Sequence, residues 1–227
     1  MTIKNKNNRA FSFGEYSQIL KALKGRLNKF NPSMPDEFVI IRHDVEFNIN
    51  RALEVAVLES KVNVSSTFFF QVISSAYNPF SIKNLKKIKK IKDLGHDVGL
   101  HFYVTHLSSQ DIKELSSELL KQKQLFEIGL NLPCHAFSFH RPPKWVLEIR
   151  ENIIEGMLNA YGPEFFEFSS NPTKIKYIAD SKHEWAYGHP LECLDYQRLQ
   201  ILMHPDEWST AGDSGNKDFF SNLINEN

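Results

Sequence analysis

Cysteine is scarce in this 227-residue chain. Cys134 and Cys193 are the two, and they stand in neither a metal-binding nor a redox spacing. A cysteine-built zinc site has no residues to use, and both thiols are expected to stay free. Long apolar runs are also missing. None approaches the ~20 residues of a membrane helix. The opening Met1-Thr2-Ile3-Lys4-Asn5-Lys6 lacks the apolar core of a signal peptide, so a cytoplasmic protein with no transmembrane segment is expected. Nor does one sign of charge dominate: Lys plus Arg and Asp plus Glu both number 27. Nothing in that balance draws the chain to nucleic acid or to an anionic membrane. Without a linker, repeat or low-complexity tract, residues 1–227 are expected to form one large α/β domain, with the ten polar residues at the start frayed.

What the chain has is a core. Hydrophobic residues make up 41% and aromatics 12%. Helices are predicted over Ser12–Arg26 (Ser12 capping ahead of Glu15), Asn48–Ser60, Ser81–Leu94 and about Ser109–Gly129, with a short one near Lys217–Ile224. Buried strands are predicted over Val39–Glu46, Ser65–Val72, His96–Phe102, Ala136–Arg141 and Leu199–His204, with others near Phe165–Ser169 and Ile175–Asp180. Lys86, Lys87, Lys89, Lys90 and Lys92 surround an apolar stripe of Leu85, Ile88 and Ile91. They read as a solvated face, with a patch for an anionic partner as the alternative. Alternating strands and helices argue for a mainly parallel sheet, open or closed into a barrel.

The apolar run Val39-Ile40-Ile41 does not stop where a buried strand should; it continues into Arg42-His43-Asp44-Val45-Glu46. Side chains alternate across a strand, so Asp44 and Glu46 share a face, and two adjacent carboxylates are costly unless something uses them. Other strands end alike: one in His101, one in His140 and Arg141, the last in His204. In parallel α/β folds the carboxyl ends of the strands gather at one rim, where ligands bind, so these separated residues should meet. His43 and His96 fall on the opposite faces and read as structural, Phe68-Phe69-Phe70 as core. His183 and His189 either line substrate or sit in an exposed loop.

Arg42-His43-Asp44-Val45-Glu46, Gly95-His96-Asp97-Val98-Gly99-Leu100-His101, Ser138-Phe139-His140-Arg141-Pro142 and Leu202-Met203-His204-Pro205 occur in that order. Together they resemble the motifs of the polysaccharide deacetylase family (NodB homology, carbohydrate esterase family 4-like), closest to its surface-polysaccharide biosynthesis branch. The likeness runs from about Ser12 to Trp208. It implies a distorted (β/α) barrel of about seven strands and a metal-dependent hydrolase that removes an acetyl group from an amino sugar. The cofactor would be one divalent metal, zinc with cobalt or nickel as alternatives. The substrate would be an acetylated amino sugar, free or nucleotide- or lipid-linked. By the resemblance, Asp44 matches the catalytic base, Glu46 a metal ligand, His101 the first histidine ligand and His204 the general acid. Arg141 matches the arginine that orients the base, and Asp180 with Trp185 the pair that supports the acid. Trp145, Trp185, Tyr187 and Trp208 follow the motifs and offer faces for a sugar ring.

The chemistry suits those roles. A carboxylate and neutral imidazoles bind zinc and leave a position open. A second carboxylate takes a proton from water, and a histidine across the cleft returns one to the leaving nitrogen. The chain departs from the pattern twice. Glu46 is one methylene longer than the family's aspartate. The second histidine, expected four residues after the first, is replaced by Thr105, with His106 one further on. A loop bulge would bring His106 in; alternatively His140 completes the metal site. These departures keep two other readings open: an amide or formyl hydrolase for a non-sugar substrate, and a metal-free carbohydrate-binding relic.

Overall fold

The structure, a computed structural model, describes residues 11–104, 107, 110–167 and 174–212. The start expected to be frayed, Thr105, His106, Ser109, Phe168 and Ser169 of the expected Phe165–Ser169 strand, and the expected Lys217–Ile224 helix lie outside the described residues. Nine strands are described: β1 (Leu27–Asn28), β2 (Phe38–Val45), β3 (Thr67–Phe70), β4 (Asp97–Tyr103), β5 (Ala136–His140), β6 (Ile153–Ile154), β7 (Met157–Asn159), β8 (Ile175–Ala179) and β9 (Arg198–Met203). Five α-helices accompany them: α1 (Phe13–Leu23), α2 (Ile49–Lys61), α3 (Ile82–Asp93), α4 (Ile112–Leu130) and α5 (Lys144–Leu147).

The strands form one sheet in the order β6-β7-β5-β4-β3-β2-β9-β8, with β1 beside the first half of β2. All pairings are parallel except the β6–β7 hairpin. The sheet curls into a half-barrel of the NodB-like kind. The helices start where local chemistry lets them. Ser12 accepts from the Glu15 N–H, Asn48 from those of Asn50 and Arg51, and Ser81 from that of Asn84. Gly95 follows α3 at φ +96°, a backbone conformation that favours glycine.

The period of two along β2 organises the interior. Val39, Ile41 and Val45 face the helix layer, where they pack with Tyr16, Ile19, Ala52, Val55 and Ala56. Phe38 and Ile40 face the other way, into a second core with Phe30, Phe69, Ala136, Leu158 and Phe165. Arg42 and Asp44 continue this interior face towards the carboxyl end. The inside of the half-barrel is therefore apolar at its floor and charged at its rim. Gly99 on β4 makes room for this floor. A Cβ there would stand 2.7 Å from the Phe69 ring and 2.6 Å from the Ala136 carbonyl oxygen.

Two parts of the sequence reading need correction. Residues 165–167 are not strand; Phe165 is a buried core residue whose N–H closes a turn on the Gly162 carbonyl. The β6–β7 hairpin, turned by Glu155 and Gly156 at φ 51° and 74°, was not predicted; its strands are too short to show a period. Cys134 and Cys193 are both free and buried. Among the described residues no helix is long and apolar enough to cross a membrane.

Candidate active site

β2, β4, β5 and β9 deliver their last residues to one cleft of about 850 Å³, lined by Asp44, Glu46, His101, Arg141, His204 and Asp206 among others. Such a volume is ordinary for a small-molecule site. At its wall, with His140 just behind the lining, Glu46, His101 and His140 place one possible ligand atom each within 4.8 Å of the others. Glu46 Oε1 is 2.6 Å from His140 Nδ1 and 3.5 Å from His101 Nε2, and the two imidazole nitrogens are 3.1 Å apart. Burial by itself would raise the Glu46 carboxyl. The hydrogen bonds of His101 and His140, with the charge of His204, instead hold it well below the usual carboxylate range.

The side chains behind this group fix its protonation. Ser138 Oγ donates to Asp44 Oδ1 at 3.0 Å and is 2.8 Å from His101 Nδ1. A hydroxyl has one proton; spending it on the carboxylate leaves the oxygen to accept from Nδ1–H. An ion taking the place of the His101–Glu46 contact would then meet the Nε2 lone pair of His101, the tautomer that a metal ligand needs. The donor set of one carboxylate and two imidazoles, its open side towards the cleft, fits a divalent metal such as zinc.

Asp44 is 2% exposed and held at both oxygens, by Ser138 at Oδ1 and by Arg42 Nη2 at Oδ2, 3.3 Å away. The arginine beside it is thus Arg42. Arg141, expected in that place, is an exposed residue just past β5 at φ 47°, and it lines the cleft mouth. The reason is geometric. Arg42 lies on the same strand face as Asp44, one pleat below, whereas the left-handed turn at Arg141 takes the chain out of the sheet.

Across the cleft His204 follows β9, its Nε2 3.8 Å from Glu46 Oε1. Its Nδ1 lies 2.7 Å from Asp180 Oδ1, and its backbone N–H also donates to Asp180. Burial lowers the pKa of this imidazole, but Asp180, Glu46 and Asp44 outweigh it and raise it to about 10. Asp180 has a third donor: Trp208 Nε1 reaches its Oδ2 at 2.7 Å. Trp208 therefore does what the sequence reading gave to Trp185. At 1% exposed it also offers no face to a sugar. Trp185 packs on Trp208 with ring centroids 6.0 Å apart, and Trp145 packs against the core; neither is among the cleft's lining residues. Tyr187 does line it, 57% exposed.

Other expectations are settled by their partners. His106 lies outside the described residues. His189 is buried against Glu15 at 3.0 Å, and His183 is 2.9 Å from Glu207. His43 and His96 are structural: both are wholly buried and both reach Glu59, behind the sheet. Arg42, Ser138 and Trp208 were not foreseen in their roles. For the first two a signal existed, since each stands two residues before a site residue on its own strand.

A carboxylate–diimidazole group at the open rim of an α/β half-barrel, between a buried aspartate and an aspartate-held histidine, is the centre this fold builds. The fold is the NodB-like fold of carbohydrate esterase family 4. The chain is similar to a mutant of BA3943, a CE4 family pseudoenzyme with restored activity, at TM-score 0.50 and 17% identity over 88% of this chain and 65% of that one. It is also similar to wild-type BA3943 from Bacillus anthracis (0.48, 16%, 88% and 63%). A family 4 carbohydrate esterase from the same organism gives 0.46 at 13% identity over 92% and 84%. The chain thus spans less than two thirds of either BA3943 structure. No family model matches the sequence, and no curated protein does.

Proposed function

We propose that the protein is a metal-dependent hydrolase that removes an acetyl group from an amino sugar in surface-polysaccharide biosynthesis. One observation carries this reading: Glu46, His101 and His140 converge at the rim with Asp44 on one side and His204 on the other. Glu46, His101 and His140 would hold the ion, His140 taking the place for which His106 was the other candidate. A divalent ion there, zinc with cobalt or nickel as substitutes, would polarise the acyl carbonyl and acidify a water beside it.

The residues supply the proton transfers. Asp44 is the base that takes the proton of the attacking water; the hydrogen bonds at both oxygens hold it in one orientation. His204, with Asp180 on Nδ1, presents Nε2 to the cleft. Asp180 beside Nδ1 raises its pKa, so that it can hold a proton and give it to the departing nitrogen. Exposed Arg141 and Lys182 line the same cleft, which supports a phosphate-bearing sugar, nucleotide- or lipid-linked, as substrate. Tyr187 offers the ring face. On this reading the enzyme acts on cytoplasmic precursors and not on finished polymer.

The test is acetate release by zinc-loaded protein from N-acetylglucosamine, its uridine-diphosphate and lipid-diphosphate derivatives, and chitin oligomers. Release from a diphosphate derivative, lost in Asp44→Asn, is expected. Zinc binding without release from any of them would remove the sugar deacetylase reading and leave the non-sugar amide hydrolase. Absence of stoichiometric zinc would leave the binding relic.

A further inference from the structure

We propose that Arg42 is the positioning residue of the base Asp44, in place of Arg141; the proposal rests on the hydrolase reading above. Arg42 is wholly buried inside the half-barrel, and its guanidinium is gripped from three directions. Nη2 donates to Asp44 Oδ2 at 3.3 Å and to the Tyr161 hydroxyl at 2.6 Å, and Nη1 donates to Gln200 Oε1 at 3.0 Å. Its Cζ lies 4.2 Å from the centre of the Tyr161 ring. The grips are themselves fixed. Gln200, beside Ile40 in the β2–β9 register, donates to the carbonyls of Ala160 and Phe165, and the Tyr161 N–H donates to Asn159 Oδ1 at 3.0 Å.

The result is a rigid fork, anchored in β9 and the stretch after β7, that ends on one oxygen of Asp44. Ser138 on β5 holds the other. A base needs that kind of support, because small errors in its angle to the attacking water cost rate steeply. As mere filling the arrangement is poor: a buried arginine–aspartate pair is often no better than apolar residues of the same volume. Arg141 has no part in the grip. It is exposed, and its left-handed backbone directs the chain away from the sheet end. The two arginines thus lie apart, Arg42 buried under the base and Arg141 at the cleft mouth.

The experiment is a double-mutant cycle on zinc-loaded protein with p-nitrophenyl acetate, whose leaving group departs without a proton, so that the base is read apart from His204. Zinc stoichiometry and thermal unfolding are measured on every variant. Arg42→Lys keeps the charge and loses the fork. It is expected to lower kcat ~100-fold at a KM within ~2-fold and with one zinc still bound, yet to change kcat less than ~3-fold when Asp44 is already Asn. Tyr161→Phe serves the same cycle if Arg42→Lys does not fold, with ~10-fold expected. An equal loss in both backgrounds, or none in either, would overturn the role of Arg42. So would a loss in Arg141→Gln that vanishes in the Asp44→Asn background, which returns the base to Arg141. Wild-type protein that binds zinc and releases no p-nitrophenol would overturn the hydrolase reading itself, a result distinct from these.

Discussion

Two clusters of histidines around a glutamate sit on opposite faces of β2, built from the same residue types. Behind the sheet, Glu59 of α2 holds His43 Nε2 at 2.8 Å, His96 Nδ1 at 3.2 Å, Ser66 Oγ at 2.6 Å and the Tyr16 hydroxyl. Glu59, His43, His96 and Tyr16 are all 0% exposed. Inside the half-barrel, Glu46 meets His101, His140 and His204, but this group opens on a cleft. In the first cluster both carboxylate oxygens are used up by protein donors, and burial is offset by them, so that Glu59 stays ionised below its ordinary pKa. In the second the nitrogens and oxygens converge on one another and have a way out to solvent. Residue type alone does not separate a structural cluster from a reactive one; access and convergence do.

That contrast can be broken by experiment, most forcibly at the two glutamates. Glu59→Ala leaves buried His43, Ser66 and Tyr16 without their common acceptor. It should cost about 3–5 kcal/mol in urea unfolding. Glu46→Ala should cost less than ~1 kcal/mol, because water from the open cleft can take the place of the carboxylate, and should abolish zinc binding. Equal losses of stability would erase the distinction between the clusters.

A smaller effect is expected at Ser138. Ser138→Ala removes the acceptor of His101 Nδ1 and one donor of Asp44, and should weaken zinc ~10- to 100-fold in a chelator competition. Unchanged affinity would show that the tautomer of His101 is held by something else.

Acidity tests the rim in the metal-free protein. The folded pKa of His204 is raised to about 10 from an ordinary 6.5. Its contribution to stability is therefore complete below about pH 6.5 and lost as the pH climbs towards 10. Unfolding at pH 7 and pH 9.5 should show that fall, and His204→Gln should flatten it. An effect of opposite sign is expected at Asp206, 6% exposed, whose carboxyl burial and the charges of Glu46 and Glu207 push up to about 7. A raised carboxyl penalises the folded state as it ionises. Asp206→Asn should thus stabilise by an amount that grows from about pH 4 to pH 7 and is constant above. A gain independent of pH would mean that Asp206 carries no such penalty.

How much of this was legible in the sequence depends on how local the physics is. Helix caps are set within four residues, so Ser12, Asn48 and Ser81 could be read directly. Period-two alternation put Asp44 and Glu46 on one face and His43 on the other, and strand-end position brought His101, His140 and His204 to one rim. The same alternation places Arg42 beneath Asp44, but the reading followed the motif likeness and named only Arg141. Which tryptophan reaches Asp180 could not be read from spacing. It is decided by the 3-10 turn Pro205–Glu207, which folds Trp208 back under His204. The β6–β7 strands, two and three residues long, are too short for any period to register.

The most direct measurement is zinc stoichiometry by equilibrium dialysis on wild-type protein and on His140→Ala. One zinc per chain in the wild type, lost when His140 is replaced, is the expected result. No stoichiometric zinc in the wild type, or full binding in His140→Ala, would contradict the site built by Glu46, His101 and His140.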